Sequence, residues 1–419
     1  MAKKPQTPHE LLPHLFRQEY SKMTAVLCRY FGLKNMEIAE DIASDTFLKA
    51  SEHWALYGIP EHPAAWLYTV AKNKTKDYFK HRSTFDDKVK VEIEKQTQDF
   101  HQELSFTEDI ISDSQLAMIF NVCNPCLSKE AQICLALQVL CGFSVEEIAN
   151  AFLSNKETIK KRLQRARTHL RKENFQIKSL DETSLQSREQ VVLKTLYLLF
   201  NEGYHSQSSD RVIRKDLCLE AIRLTLTLTK HAATNSPKAN ALLALMCFQS
   251  SRFTARIDSL GETILYDNQD RNLWNQELID RGNYYLVNAC SENTISKYHL
   301  EAGIAYWHTT LKDENKWPNI LQLYNQLLQL EYSPVVALNR TFAFAQVYGK
   351  TAATQEAEKL DLDTNPYYHA LLGYLYETHN MPLALHHYQK AIDRTHSKAE
   401  KKTLQNKMEN LKKESSEPH

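Results

Sequence analysis

The chain has 419 residues, with 51 basic and 51 acidic side chains and a formal net charge of zero; this argues against a wholesale polyanion binder and confines any nucleic-acid surface to local patches. Glycine is scarce at 9 residues while Leu, Ala, Glu, Lys and Gln are plentiful, which predicts a mainly helical protein of several domains. The 8 cysteines and the lack of a secretory leader fit reduced thiols in a cytoplasm, and no uncharged apolar run approaches the ~18 residues of a bilayer span, so a soluble, cytoplasmic protein without a membrane partner is expected.

Residues 1–82 read as a compact helical unit. His9 to Phe31 is amphipathic, with Leu12, Leu15, Phe16, Met23, Val26 and Leu27 able to face one core. In the next stretch Ile38, Ile42, Phe47 and Leu48 are expected to pack while Glu37, Glu40, Asp41 and Asp45 project outward. That acidic face suits either plain solvation or the docking of a basic partner. From Pro63 to Arg82, Trp66, Tyr68, Tyr78 and Phe79 interleave with Lys72, Lys74, Lys76, Lys80 and Arg82. Rings that stack on unstacked bases beside cations that hold phosphates suit single-stranded DNA. A buried helix with snorkelling lysines has the same pattern, and both readings stand at this point.

Residues 83–113 change character, with nine acids against Lys88, Lys90 and Lys95 and few apolar residues, which predicts a flexible acidic linker. Residues 114–178 return to helical periodicity through Leu116, Ile119, Phe120, Ile133, Leu137 and Leu140, with a break at Pro125 and a new helix capped by Ser128. Ser144 with Glu147, and Ser154 with Glu157, each form the S-x-x-E capping pattern, so two helices are predicted to start ten residues apart. Ile148, Ala149, Phe152 and Leu153 supply the first apolar face, and Ile159, Leu163, Ala166 and Leu170 continue it on the second helix. From Leu153 to Lys172 eight side chains are basic and only Glu157 is acidic, a helix-turn-helix whose second helix can enter a major groove.

Residues 188–419 are helical by pattern. The segments 317–330, 334–348, 350–360, 366–379 and 382–395 alternate as helix, turn and helix, with prolines at several starts. Leu372, Gly373 and Tyr376 followed by Ala384, Tyr388 and Ala391 approximate the tetratricopeptide placement of small residues where helices cross, and residues 397–413 read as a charged capping helix. Such arrays bind peptides or proteins on concave surfaces, so a protein or peptide partner is expected; a purely structural appendage is the plainer reading.

Two signals lead nowhere. Cys123 and Cys126 form a C-x-x-C without a second pair to complete a tetrahedral site, so no metal is expected. Glu202 and His205 lack any nucleophile or oxyanion donor, and Gly203 reads as a polar turn leaving a helix. No phosphate loop, dinucleotide fingerprint or nucleophile elbow occurs, and neither an enzyme nor a cofactor is expected.

The ordered set of AEDIASDTFLKA, PAAWLYTVAKNKTKDYFKHR, the acidic linker and LSKEAQICLALQVLCGFSVEEIANAFLSNKETIKKRLQRARTHLRK resembles a bacterial sigma-70-family factor of the extracytoplasmic-function group over residues 10–174. The segments VVLKTLYLLFNEGYHSQSSDRVIRKDLCLEAIRLTLTL and NQDRNLWNQELIDRGNYYL resemble the helical, tetratricopeptide-like extension of one subgroup. The resemblance implies an all-α fold: sigma region 2 over 1–82, linker 83–113, helix-turn-helix region 4 over 114–178 and the extension over 188–419. It implies core RNA polymerase and promoter DNA as partners. Glu37, Glu40, Asp41 and Asp45 then fall where the family docks the polymerase, and Tyr68, Lys72, Asn73, Lys76, Tyr78 and Lys80 where it melts and reads the −10 element. Thr158, Lys161 and Arg165 fall where it reads the −35 element, with Lys156, Lys160 and Arg162 completing the basic set. The YFKHR ending departs from the arginine-rich run of many relatives. The competing expectation is a helix-turn-helix regulator fused to a repeat scaffold, and residues 36–82 separate the two, because only a sigma factor needs both an acidic dock and a melting helix.

Overall fold

A computed structural model describes residues 8–85, 104–152, 154–172, 182–204, 214–256, 264, 266–310, 313–395 and 398–416. Among these residues the fold is all-α, and they fall into two compact units, Met1–Leu198 and Leu199–His419.

In the first unit, α1 (Pro8–Phe31) packs along α2 (Met36–Tyr57), and α3 (Pro63–Phe85) closes against both. Gly58 ends α2 at φ +82°, a conformation open to glycine without strain, and its N–H donates to the Trp54 carbonyl at 3.0 Å. Pro63 then opens α3, where its missing N–H costs nothing. Met23, Leu27, Trp54 and Leu67 are fully buried between these helices.

The chain resumes with α4 (Glu108–Val122), α5 (Lys129–Leu135, prolonged by a π-helical turn over Ala136–Leu140), α6 (Val145–Ala151) and α7 (Lys156–Lys172). The segment expected to be a flexible linker is therefore ordered at both ends. Helix α3 runs on to Phe85, and α4 begins within the acidic stretch because Thr107 accepts the Ile110 N–H and Ile111 is buried. The remainder, 86–103, lies outside the described residues. Helix α4 packs against α1, so the N-terminal helices and the helix-turn-helix share one body. Phe16 of α1 lies against Gly142 at the turn before α6, and Arg17 approaches Glu147 at 3.8 Å. Ser128 caps α5 as expected, accepting the Ala131 N–H.

Helix α8 (Glu182–Tyr204) straddles the division between the units. Gly203 is not in a turn but inside this helix, and a Cβ there would stand 2.7 Å from the Cys218 sulfur, so glycine serves close helix packing. The second unit continues with α9 (Lys215–Lys230), α10 (Pro237–Ser250), α11 (Gln276–Ala289), α12 (Lys297–Thr309), α13 (Lys316–Leu330), α14 (Pro334–Tyr348), α15 (Lys350–Glu358), α16 (Pro366–Tyr376), α17 (Met381–Arg394) and α18 (Lys398–Ser416). Helix α10 is buried along almost its whole length between α9, α11 and α12, which explains why its sequence lacks a polar face. From α13 onward each helix packs chiefly on its neighbours, the arrangement of a repeat array. The small-residue pattern works as read: Gly373 of α16 lies under the Tyr388 ring, 2.8 Å from where a Cβ would be, with Ala384 and Ala391 fully buried. Met408 and Leu411 of α18 close the end against Tyr388 and Ile392.

Candidate polymerase and nucleic-acid surfaces

The helix-turn-helix is held by local chemistry. Ser144 and Glu147 complete a reciprocal capping box, the Glu147 N–H donating to Ser144 Oγ at 3.1 Å and the Ser144 N–H to Glu147 Oε2 at 2.8 Å. The second helix is capped differently from expectation: Asn155, not Ser154, accepts the Thr158 N–H at 2.7 Å, so α7 begins one residue later. The stripe Ile159, Leu163, Ala166 and Leu170 is buried, which aims the opposite face outward. Lys156, Thr158, Lys160, Lys161 and Arg165 are all exposed there. Lys156 meets Glu146 at 2.9 Å and Lys160 meets Glu157 at 3.5 Å, surface pairs that cost little to release to a phosphate. Arg162 is half-buried, its Nη1 4.0 Å from the Cys134 sulfur, and it sits at the edge of this face.

The acidic face of α2 divides in two. Asp41 and Asp45 are exposed, and Asp45 reaches Lys74 of α3 at 3.3 Å. Glu40 is only 16% exposed in its side chain, because Arg167 of α7 grips it with Nη1 to Oε2 and Nη2 to Oε1 both at 2.7 Å. Arg167, 14% exposed, also donates to Gln138 at 2.9 Å. Burial alone would lower the pKa of this guanidinium, but the hydrogen bonds and charge of Glu40, helped by Glu37, outweigh it and raise it. Arg171, one turn on, donates to Glu37 at the surface. Leu48, expected in the core, is 59% exposed beside this face, since Phe47 takes the inward position against Phe16.

Sequence reading did not single out Arg167 and Arg171. The available signal was complementarity: in a neutral chain, a helix with one carboxylate-rich face and a helix with one guanidinium-rich face are candidates to neutralise each other.

On α3 the rings serve packing more than display. Trp66 meets Trp54 edge-on at 5.4 Å, Phe79 stacks on Phe31 at 5.3 Å, and Tyr78 meets Phe31 edge-on at 5.6 Å. Tyr68 stacks on Phe106 at 4.7 Å and its hydroxyl donates to the Glu19 carboxylate. Burial and that carboxylate hold the phenol well above its ordinary range. Lys72 is half-buried, while Asn73, Lys76 and Lys80 are exposed at positions i, i+3 and i+7, one polar stripe along the helix. The structure thus gives Tyr68 and Tyr78 packing contacts and sets Asn73, Lys76 and Lys80 on the exposed stripe, so both readings of this helix keep residues in place for them.

Three family profiles match the chain in sequence order. Sigma-70 region 2 matches residues 15–84, ECF sigma factor matches 87–176, and a family of unknown function, DUF6596, matches 188–290. The chain belongs to the extracytoplasmic-function group of sigma-70 factors. An "Uncharacterized protein" of Rhizobium meliloti is 33% identical over 353 residues, covering 83% of each chain. A "Probable RNA polymerase sigma factor" of Haemophilus influenzae is 26% identical over 147 residues, 32% of this chain and 75% of that one. No solved structure matches. Sigma factors are non-catalytic initiation factors that act with core RNA polymerase and promoter DNA, and this one carries a long helical extension beyond that minimal set. No described helix is long and apolar enough to cross a membrane.

Proposed function

We propose that this sigma factor directs core RNA polymerase through three surfaces: Glu37, Glu40, Asp41 and Asp45 on the polymerase, Tyr68, Lys72, Asn73, Lys76, Tyr78 and Lys80 at the −10 element, and Lys156, Thr158, Lys160, Lys161, Arg162 and Arg165 at the −35 element. Residues 1–82 and 114–178 then act as the two promoter-facing domains joined by 83–113, with 188–419 as a regulatory extension offering a surface to a protein or peptide. The observation that carries the −35 assignment is the exposed basic face of α7 above a wholly buried stripe. Within this reading the Glu40–Arg167 and Glu37–Arg171 pairs are intramolecular substitutes for polymerase contacts, exchanged when the factor engages the enzyme. The helix-turn-helix regulator alternative gives no role to residues 15–84, which match sigma-70 region 2.

Mixing the purified chain with core polymerase and sequencing the transcript starts tests the reading directly; failure to form a holoenzyme ends it. The extension is tested separately, by comparing the full-length factor with one truncated after Lys178. Identical promoter output and identical response to inducing stress would remove any regulatory role.

A further inference from the structure

The second unit gathers three cations that no described carboxylate offsets. Arg252 and Arg256 follow α10, and Lys316 opens α13 with only 7% of its surface exposed. Their neighbours are aromatic: the Arg252 guanidinium lies 5.4 Å over the Tyr266 ring and 6.0 Å over Trp274, and Arg256 lies 4.2 Å over Tyr204. Lys316 Nζ donates to the Tyr266 hydroxyl at 2.7 Å and stands 4.8 Å over the same ring. That hydroxyl in turn donates to the His308 carbonyl at 2.7 Å, which locks the ring between the cations. Four nitrogens here are buried without a hydrogen-bond partner: Arg252 Nε, Arg256 Nη1, Trp274 Nε1 and His308 Nδ1.

Burying like charges together is costly unless an opposite charge joins them, and each orphaned N–H adds its own desolvation penalty. Arg252 Nη2 donates to the Tyr204 hydroxyl at 3.5 Å, which brings both guanidinium groups to one ring, and the unpartnered Arg252 Nε and Arg256 Nη1 remain as N–H groups that fit the oxygens of carboxylates and phosphates. Burial, followed by the charges of Arg252 and Lys316, pushes the His308 pKa down to about 3, so this imidazole is neutral and joins the group as a polar neighbour without adding charge. Arg252, Arg256, Tyr266, Trp274 and His308 are half-buried residues, and the unpartnered nitrogens among them lie beneath the surface, shielded enough to strengthen an ionic contact.

We propose that Arg252, Arg256 and Lys316, with the indole N–H of Trp274, form a binding site for a small oxyanion, the phosphate or carboxylate group of a metabolite. The compact convergence of cations among rings, in place of an extended basic stripe, favours a small ligand over a nucleic-acid backbone. Binding at this site stands apart from promoter recognition; only its effect on transcription rests on the proposed function. It would make the extension a module that reports a metabolite to the sigma domains.

The test uses the full-length protein, titrated in separate arms with sodium phosphate and sodium citrate while sodium chloride holds ionic strength constant. A saturable rise in thermal midpoint of at least about 3 °C is expected in one arm or both, by linkage of binding to folding. Response to phosphate alone assigns a phosphate ligand, and response to citrate alone a carboxylate. Arg252→Gln and Lys316→Met should each weaken the apparent affinity at least tenfold, whereas Arg281→Gln, which removes an exposed helix-surface pair with Glu277, should leave it unchanged. Should either variant fail to fold, Arg252→Lys keeps the charge but loses the fork, and a tenfold weaker response in a folded protein supports the site. No saturable response to either anion, or an undiminished response in the folded variants, overturns the proposal.

Discussion

Removing the Arg167 guanidinium should be far more damaging than removing that of Arg171, although both pair with glutamates of α2. At ~4 Å separation and an effective dielectric constant of about 20, the gross attraction in each pair is roughly 4 kcal/mol. Exposure decides how much survives. Arg167 and Glu40 are 14% and 16% exposed and joined by two parallel hydrogen bonds, so losing one partner strands the other largely out of water. Fully buried pairs lose ~3–5 kcal/mol on such truncation, and this slightly accessible one should lose ~2–3 kcal/mol in Arg167→Gln. Arg171 and Glu37 are 38% and 64% exposed, which puts Arg171→Gln at ~0.5 kcal/mol or less. Urea denaturation of the two variants measures the contrast, and a double-mutant cycle with Glu40→Gln should return a coupling of ~1.5 kcal/mol or more. A coupling below ~0.5 kcal/mol, or equal losses in the two arginine variants, would refute the claim that this contact ties α7 to α2. If Glu40 is also a polymerase contact, the folded Arg167→Gln factor should bind core polymerase more tightly than the parent.

Lys161→Ala and Arg165→Ala, both at exposed positions, should leave folding intact and weaken −35 recognition by ~1–3 kcal/mol per lost base contact; unchanged promoter selectivity in footprinting would count against α7 as the reading helix. Asp41→Lys with Asp45→Lys should abolish assembly with core polymerase while the circular dichroism spectrum is preserved, and persistent co-elution would remove these residues from the docking surface. Gly373→Ala drives a methyl into the Tyr388 ring and should cost ~1–3 kcal/mol of stability in the second unit; a neutral result would show that the α16–α17 crossing can relax. His369 and His387 stand Nδ1 to Nδ1 at 3.1 Å, faced by Asp363, His386, Lys390 and Arg394, and burial holds both imidazoles below 6.5, His387 down to about 4. Because the unfolded chain takes up those protons first, their stabilising contribution is complete above pH 6.5 and is lost as pH falls toward 4. Thermal midpoints across that range should show this dependence weakened in His387→Phe.

How legible the molecule was depended on whether a residue's role is local. The Ser144 capping box, the Ser128 cap and the stripe from Ile159 to Leu170 depend on neighbours within a turn or two, and all stand where the periodicity put them. The Gly373 contact was readable because small residues at a helix crossing leave a spacing in the sequence. Errors arose where two neighbours compete for one role. Ser154 was read as the cap of α7 while its neighbour Asn155, also a capping residue type, takes that role, and of Phe47 and Leu48, both expected to pack, only Phe47 faces inward. Gly203 was misread for a related reason, since a glycine allowing a turn and a glycine admitting a neighbouring helix look identical in one dimension.

The Glu40–Arg167 pair lies beyond any local rule, because its partners are separated by 127 positions. Its chemistry nevertheless constrains how the promoter surfaces are deployed. A carboxylate held by two charge-assisted hydrogen bonds in a shielded site is a poor ligand for anything else until those bonds are replaced, whereas Asp41 and Asp45 on the same helix need no such exchange. An approaching polymerase would therefore meet the exposed aspartates first and gain Glu40 only by supplying a cation of comparable strength. Since Arg167 lies on the same helix as Lys161 and Arg165, displacing it removes the shielded tie between α7 and α2 and leaves only the surface pair of Arg171 with Glu37 among their described ion pairs. On the proposed reading, loosening of the −35 helix is thus coupled to capture of the enzyme, which the opposite effects expected of Arg167→Gln and of the Asp41 and Asp45 substitutions on polymerase affinity make measurable.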